Sequence, residues 1–118
     1  MRRPSFRPER VGELIRQTVA AFLTGDVRDP RIGFVTVTGV EVTADLSHAA
    51  VRVSVMGSEE EKARSLEGLA SAAGFLRAQL GRQLALRTTP ELRFQLDRGL
   101  EHAQQIDKVL KKLKEPGD

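Results

Sequence analysis

The sequence predicts an α+β fold, a two-layer sandwich in which three strands carry helices on one face. Three observations lead there. Apolar residues recur at helical spacing over Val11–Leu23 and again over Ala63–Leu80. Two stretches rich in β-branched residues, Phe34–Val42 and Ala49–Val55, alternate as strands do, and a third short alternation, Leu92–Leu96, follows the second helical stretch. With 118 residues, 40% of them hydrophobic and 30% charged, the chain can bury one modest core. It reads as a single domain over residues 1–118, with a core between 8 and 113 and short flexible ends. No apolar run approaches the ~20 residues of a membrane helix. Residues 11–16 interleave Gly12, Glu13 and Arg16 with their apolar neighbours, unlike the core of a signal peptide. A cytoplasmic protein is expected.

The first helix spans Pro8–Thr24. Val11, Leu14, Ile15, Val19, Phe22 and Leu23 form its apolar stripe, and Pro8 suits a first turn whose N–H has no helical partner anyway. Gly25 and Asp26 end it, and Pro30 keeps Asp29 out of helical geometry. In the strand from Phe34 to Val42, Val35 and Val37 share one face before Val40 and Val42 take over, a slip that predicts a β-bulge at Gly39. Thr43–Ser47 supplies turn chemistry, so the next strand pairs back as an antiparallel hairpin with one buried face. Ser58 and Glu61 form a capping box for a helix reaching Leu84. Gly68, Gly74 and Gly81 interrupt that helix, each costing about 1 kcal/mol relative to Ala, which predicts a broken rather than continuous element. Thr88-Thr89-Pro90 leads into the third strand. Asp97 can then cap a last helix carrying Leu100, Ala103, Ile106, Leu110 and Leu113. The expected order is α-β-β-α-break-α-β-α. Phe22, Phe34 and Phe94 fall on expected core positions, leaving few aromatic platforms for stacking on unpaired bases.

Composition excludes several kinds of chemistry. There is no cysteine, hence no disulfide, thiolate metal site or Cys nucleophile. The two histidines, His48 and His102, are too far apart in sequence to form a spaced ligand pair, and no cofactor or metal is expected. No two glycines are two or three positions apart, which removes the dinucleotide fingerprint; no Gly-Lys-Ser/Thr occurs, which removes the phosphate-binding P-loop; and no Ser or Thr is brought beside a base by sequence. A non-enzymatic binding protein is expected. The net charge is +3, but its distribution carries more information. Residues 1–31 hold seven Arg against four acids, residues 41–67 three bases against six acids, and residues 77–98 five Arg against two acids. Two basic segments around an acidic one predict a polarised surface of the kind that binds phosphate.

The helix–strand order up to the third strand is that of the type II KH domain, an RNA-binding fold. Several segments narrow the resemblance: Arg10-Val11-Gly12-Glu13-Leu14-Ile15, Asp29-Pro30-Arg31, Val35-Thr36-Val37-Thr38, Ala72-Ala73-Gly74-Phe75-Leu76-Arg77 and Leu86-Arg87-Thr88-Thr89-Pro90-Glu91-Leu92-Arg93-Phe94. In this order, over roughly residues 5–113, they closely resemble the bacterial ribosome-binding factor A family. The resemblance implies an αββααβ core with a helix kink at Ala72-Ala73-Gly74, formed by Ala72 and Gly74 in place of the GxxG loop, plus a C-terminal helix. It implies a factor in late maturation of the small (30S) subunit. Such a factor binds free or immature subunits, assists folding and processing at the 16S rRNA 5′ end, is needed in the cold, and leaves. The resemblance makes Arg77, Arg82 and Arg87 phosphate contacts. Arg7, Arg10 and Arg31 around the first helix, and Lys108, Lys111 and Lys112 on the last, are further RNA-binding candidates. Each also has an ordinary role available: solvated charge for most, a helix stop for Asp29-Pro30-Arg31, dipole complementation for the lysines. The expected partner is the small subunit through 16S rRNA and its precursor, bound by a monomer. A KH-like protein acting on non-ribosomal RNA is the alternative, distinguished by which RNAs the protein retains. A metal-dependent nuclease and a protein–protein adaptor are two more, distinguished by rRNA cleavage and by salt-insensitive ribosome binding.

Overall fold

In the computed structural model, residues 7–25, 27–84 and 89–99 are described. They form α1 (Pro8–Thr24), β1 (Val35–Val42), β2 (His48–Val55), α2 (Glu59–Leu84) and β3 (Glu91–Leu96). The sheet runs β1-β2-β3, with β1 and β2 antiparallel and β2 and β3 parallel. The α+β class is as the sequence predicts. The expected last helix lies outside the described residues.

α1 has the predicted bounds. The Arg7 carbonyl accepts the amides of Arg10 (3.0 Å) and Val11 (3.1 Å), and the Gly25 amide closes the far end on the Phe22 carbonyl. Val11, Ile15 and Val19 are fully buried beneath it. Gly12 lies against Val40 and Val42, so the helix begins over the end of β1. The predicted bulge is present: pairing passes from Val37 opposite Val53 to Gly39 opposite Arg52. Alternation then sends Val51, Val53 and Val55 into the core with Leu92, at about 1.5–3 kcal/mol for each fully buried aliphatic side chain. Thr36, Thr38, Arg52, Ser54, Arg93 and Gln95 fall on the opposite, polar face. In the β1–β2 turn Leu46 is left-handed (φ 62°), held by Asp45, whose carboxylate accepts from Thr43 Oγ1, Ser47 Oγ and the Ser47 amide.

Two expectations fail. α2 is one unbroken helix through Ala72–Gly74, 26 residues long, so the expected break there is absent and the two expected helices are one. Gly74 has no positive φ, and a Cβ on it would meet nothing within 4 Å. Neighbours cover the continuous helix toward both ends. Toward its start, the segment entering β1 crosses the helix so closely that a Cβ on Gly68 would stand 2.6 Å from Ile32 Cγ1. Buried Ser65 ties that crossing, accepting from the Gly33 amide (3.1 Å) and donating to the Arg31 carbonyl (3.3 Å). Toward its end, Leu76, Leu80 and Leu84 remain buried, and a Cβ on Gly81 would stand 3.1 Å from Thr89 Oγ1. Two of the three glycines are thus packing positions rather than breaks. The second failure is Phe34, which precedes β1 and is 82% exposed rather than in the core. The Ser58–Glu61 capping box forms as predicted, each residue's side chain accepting the other's amide at 3.1 Å.

Candidate nucleic-acid interface

Element directions decide which arginines meet. α1 starts over the end of β1 and finishes beside Val35–Val37, so it runs antiparallel to β1. α2 runs antiparallel to β3: Arg77 donates from Nε (3.0 Å) and Nη2 (2.8 Å) to the Thr89 carbonyl, while Arg98 forms a two-pronged pair with Glu59 at the opposite end. α1 and α2 are therefore antiparallel to each other. The start of α1 and the end of α2 share one end of the helix layer.

Toward that end lie Arg7 and Arg10 at the start of α1 and Arg82 in the last turn of α2. All three are exposed, and among the described residues their side chains make no hydrogen bond or ion pair. Arg77 is elsewhere. Five positions at 3.6 residues per turn separate it from Arg82 by roughly 140° around the helix, and it lines a groove of about 500 Å³ between α2 and β3. Leu66, Ala70, Ala73 and Gly74 form the helix wall of that groove; Leu92 and Phe94 form the strand side, with Arg93 at the rim. Two of three guanidinium nitrogens on Arg77 hold the turn into β3 in place, so its part is structural at least. Arg93, exposed beside it, was not among the sequence candidates; its position opposite Ala50 on a strand is set by pairing that the sequence does not spell out.

Arg31 is not with the others. It lies in the crossing segment, donates to both carboxylate oxygens of Asp29 (3.0 and 2.7 Å) and reaches Ser71 Oγ on α2 at 3.0 Å. The hydrogen bonds from Arg31 hold the Asp29 carboxyl down at a pKa of about 2. Asp29-Pro30-Arg31 therefore works as a turn clamp that fastens the α1–β1 connection to α2. Arg87, Lys108, Lys111 and Lys112 lie outside the described residues. Among the described residues there is no group of three or more His, Asp or Glu able to hold a metal ion, and no helix long and apolar enough to cross a membrane.

Aromatic exposure departs most from the sequence reading. Besides Phe34, Phe75 is 56% exposed, tilted against Phe22 with ring centroids 6.1 Å apart. Helical periodicity places residue 75 off the buried stripe, a signal available in the spacing.

The class of protein these features and their relatives define is a ribosome-binding factor, a binding protein by kind. The family model for ribosome-binding factor A matches residues 7–110. A ribosome-binding factor A from Desulforamulus reducens is 50% identical over 106 residues, covering 90% of this chain and 88% of the relative. The crystal structure of ribosome-binding factor A from Thermus thermophilus superposes with a TM-score of 0.65 at 26% identity, covering 80% of this chain and all of that one. A homology model of the Thermus thermophilus factor, fitted into a cryo-EM map of a 30S complex, gives a TM-score of 0.58 at 29% identity over 73% of this chain and 90% of the other. The chain belongs to the ribosome-binding factor A family.

Proposed function

We propose that this protein binds the small ribosomal subunit through its rRNA during late maturation, favours one arrangement of the 16S rRNA 5′ region and its processing, and then leaves. The observation that carries this reading is the family membership across nearly the whole chain; the related Thermus factor fitted into a 30S complex supports the choice of subunit. The protein acts in the cytoplasm as a monomer, and the mechanism is a population shift: a surface that prefers one RNA arrangement moves the equilibrium toward it by its differential affinity. RNA helices rearrange more slowly in the cold, where the help matters most.

Arg7, Arg10 and Arg82 are the phosphate contacts best supported by geometry, since each presents an uncommitted guanidinium at the same end of the helix layer. Arg87 and the three lysines remain candidates from the sequence. Arg31 and Arg77 act first through the fold. The test is co-sedimentation with purified immature and mature 30S subunits across a salt series. Binding should weaken steeply with salt as counterions return to the RNA. The double variant Arg10→Glu, Arg82→Glu should lose most binding and flatten the salt slope while unfolding at the wild-type denaturant midpoint. Wild-type affinity in that variant would remove this end from the interface, and retention of assorted transcripts instead of precursor rRNA would favour a general RNA-binding role.

A further inference from the structure

Exposed Phe75 and half-buried Phe22 stand in a groove of about 370 Å³ between α1 and α2, within the range of roughly 300–1,000 Å³ that small ligands occupy. Thr18 and Ala21 line the α1 side, and Gln79 and Gln83, one helical turn apart, line the α2 side. Neither glutamine amide has a partner among the described residues, and no lining residue carries a charge. Arg82, with its guanidinium uncommitted, sits next to Gln83 on the outer surface of the same helix. An aromatic face, two free amides and an adjacent cation, with no carboxylate in the lining, suit a planar, hydrogen-bonding and anionic ligand.

We infer that this groove binds one unpaired nucleobase of the RNA, stacked on Phe75, with the Gln79 and Gln83 amides on the base edge and Arg82 on the flanking phosphate. The inference rests on the RNA contact proposed above and adds to it a base subsite, so the surface reads more than phosphate. Unpaired bases are recognised in this way elsewhere, by aromatic stacking combined with hydrogen bonds to their edges.

The chain contains no Trp and no Tyr, so Phe75→Trp introduces a single fluorophore at the site. Titration with poly(A) should quench its emission saturably, whereas inorganic polyphosphate, which has the charge but no bases, should bind without quenching. Phe75→Leu keeps an apolar contact for Phe22 but offers no ring. It should bind poly(A) about tenfold more weakly, within the range that base–aromatic stacking supplies, and bind polyphosphate as the wild type does. Equal poly(A) affinity in Phe75→Leu, or binding of RNA without quenching of Trp at position 75, overturns the base subsite and leaves the RNA reading standing. Blue-shifted emission in the free protein would show the groove already covered by the chain. A shift with whole subunits but none with protein-free 16S rRNA would assign the groove to a protein contact. Each of these also overturns the inference. Absence of any RNA binding by the wild type would remove the RNA reading and the subsite together.

Discussion

Replacing Ser65 with Ala should loosen the connection between α1 and β1 without touching the sheet. The hydroxyl is 1% exposed and bridges the Gly33 amide and the Arg31 carbonyl. A net hydrogen bond contributes ~0.5–1.5 kcal/mol, so losing both costs about 1–3 kcal/mol. Two effects reduce this. Ala is the better helix former by about 0.5 kcal/mol, and Gly33 is exposed enough for water to reach its amide. The expected loss is therefore roughly 1–2 kcal/mol. With a urea m-value of ~1.5 kcal/mol/M for a small domain, the midpoint should fall by about 1 M at unchanged m. Amide exchange at Gly33 should accelerate while the central strand β2 exchanges only by global unfolding. A midpoint within about 0.2 M of wild type, with Gly33 still protected, would refute the reasoning: the crossing would then be held by the Ile32–Gly68 contact and the Asp29–Arg31 clamp alone.

Gly68→Ala should destabilise despite the better helix propensity. Its new methyl would lie 2.6 Å from Ile32 Cγ1, next to the branch point of a stiff side chain, and 3.4 Å from Arg31 Cβ; overpacking of this kind costs about 1–3 kcal/mol. Gly74→Ala should do the reverse, raising the urea midpoint by the equivalent of up to ~1 kcal/mol, because the site is open and has no positive φ. A lower midpoint there would show that the helix needs a break at this position after all. Acid should unfold the protein partly through Asp29 and Asp45, both held at about 2, the first by hydrogen bonds from Arg31 and the second by those from Ser47 and Thr43. Folded-state pKa values below the unfolded ~3.9 mean that this stabilisation is complete above about pH 4–5 and disappears as pH falls toward 2. Asp45→Asn should flatten that stretch of the stability–pH curve, as measured by urea midpoints at stepped pH.

Local chemistry was legible where one segment decides its own geometry. Pro8 and Gly25 bound α1, Ser58 and Glu61 cap α2, and the phase slip of the valines around Gly39 gives the bulge; each is a short-range effect. What could not be read depends on what crosses what. Glycines in a helical pattern look alike in sequence, yet Gly68 makes room for Ile32, Gly81 faces Thr89 and Gly74 faces open space. Propensity alone counts all three as breaks; tertiary packing of Leu69, Leu76, Leu80 and Leu84 on one stripe outweighs their combined cost of about 3 kcal/mol. Phe34 escapes the core because alternation puts it on the polar face with Thr36, opposite Val35 and Val37, while its carbonyl still accepts the Met56 amide at 3.1 Å.

Helical geometry also decides how charge can be used. Arg77 and Arg82 lie on the same stretch of α2 after Gly74, and the roughly 140° between them sends Arg77 toward β3, where it holds the Thr89 carbonyl, and leaves Arg82 exposed on another face of the helix. A phosphate backbone cannot run along these two residues as neighbours on one stripe. It can run across the end of the helix layer, from Arg82 to Arg10 and Arg7, which belong to a different helix and lie toward the same end only because α1 and α2 are antiparallel. The candidate interface is therefore a property of the packed helix pair, and its affinity depends on the contacts that hold α1 to α2, including the Ser65 bridge and the Arg31 clamp, as much as on the arginines themselves.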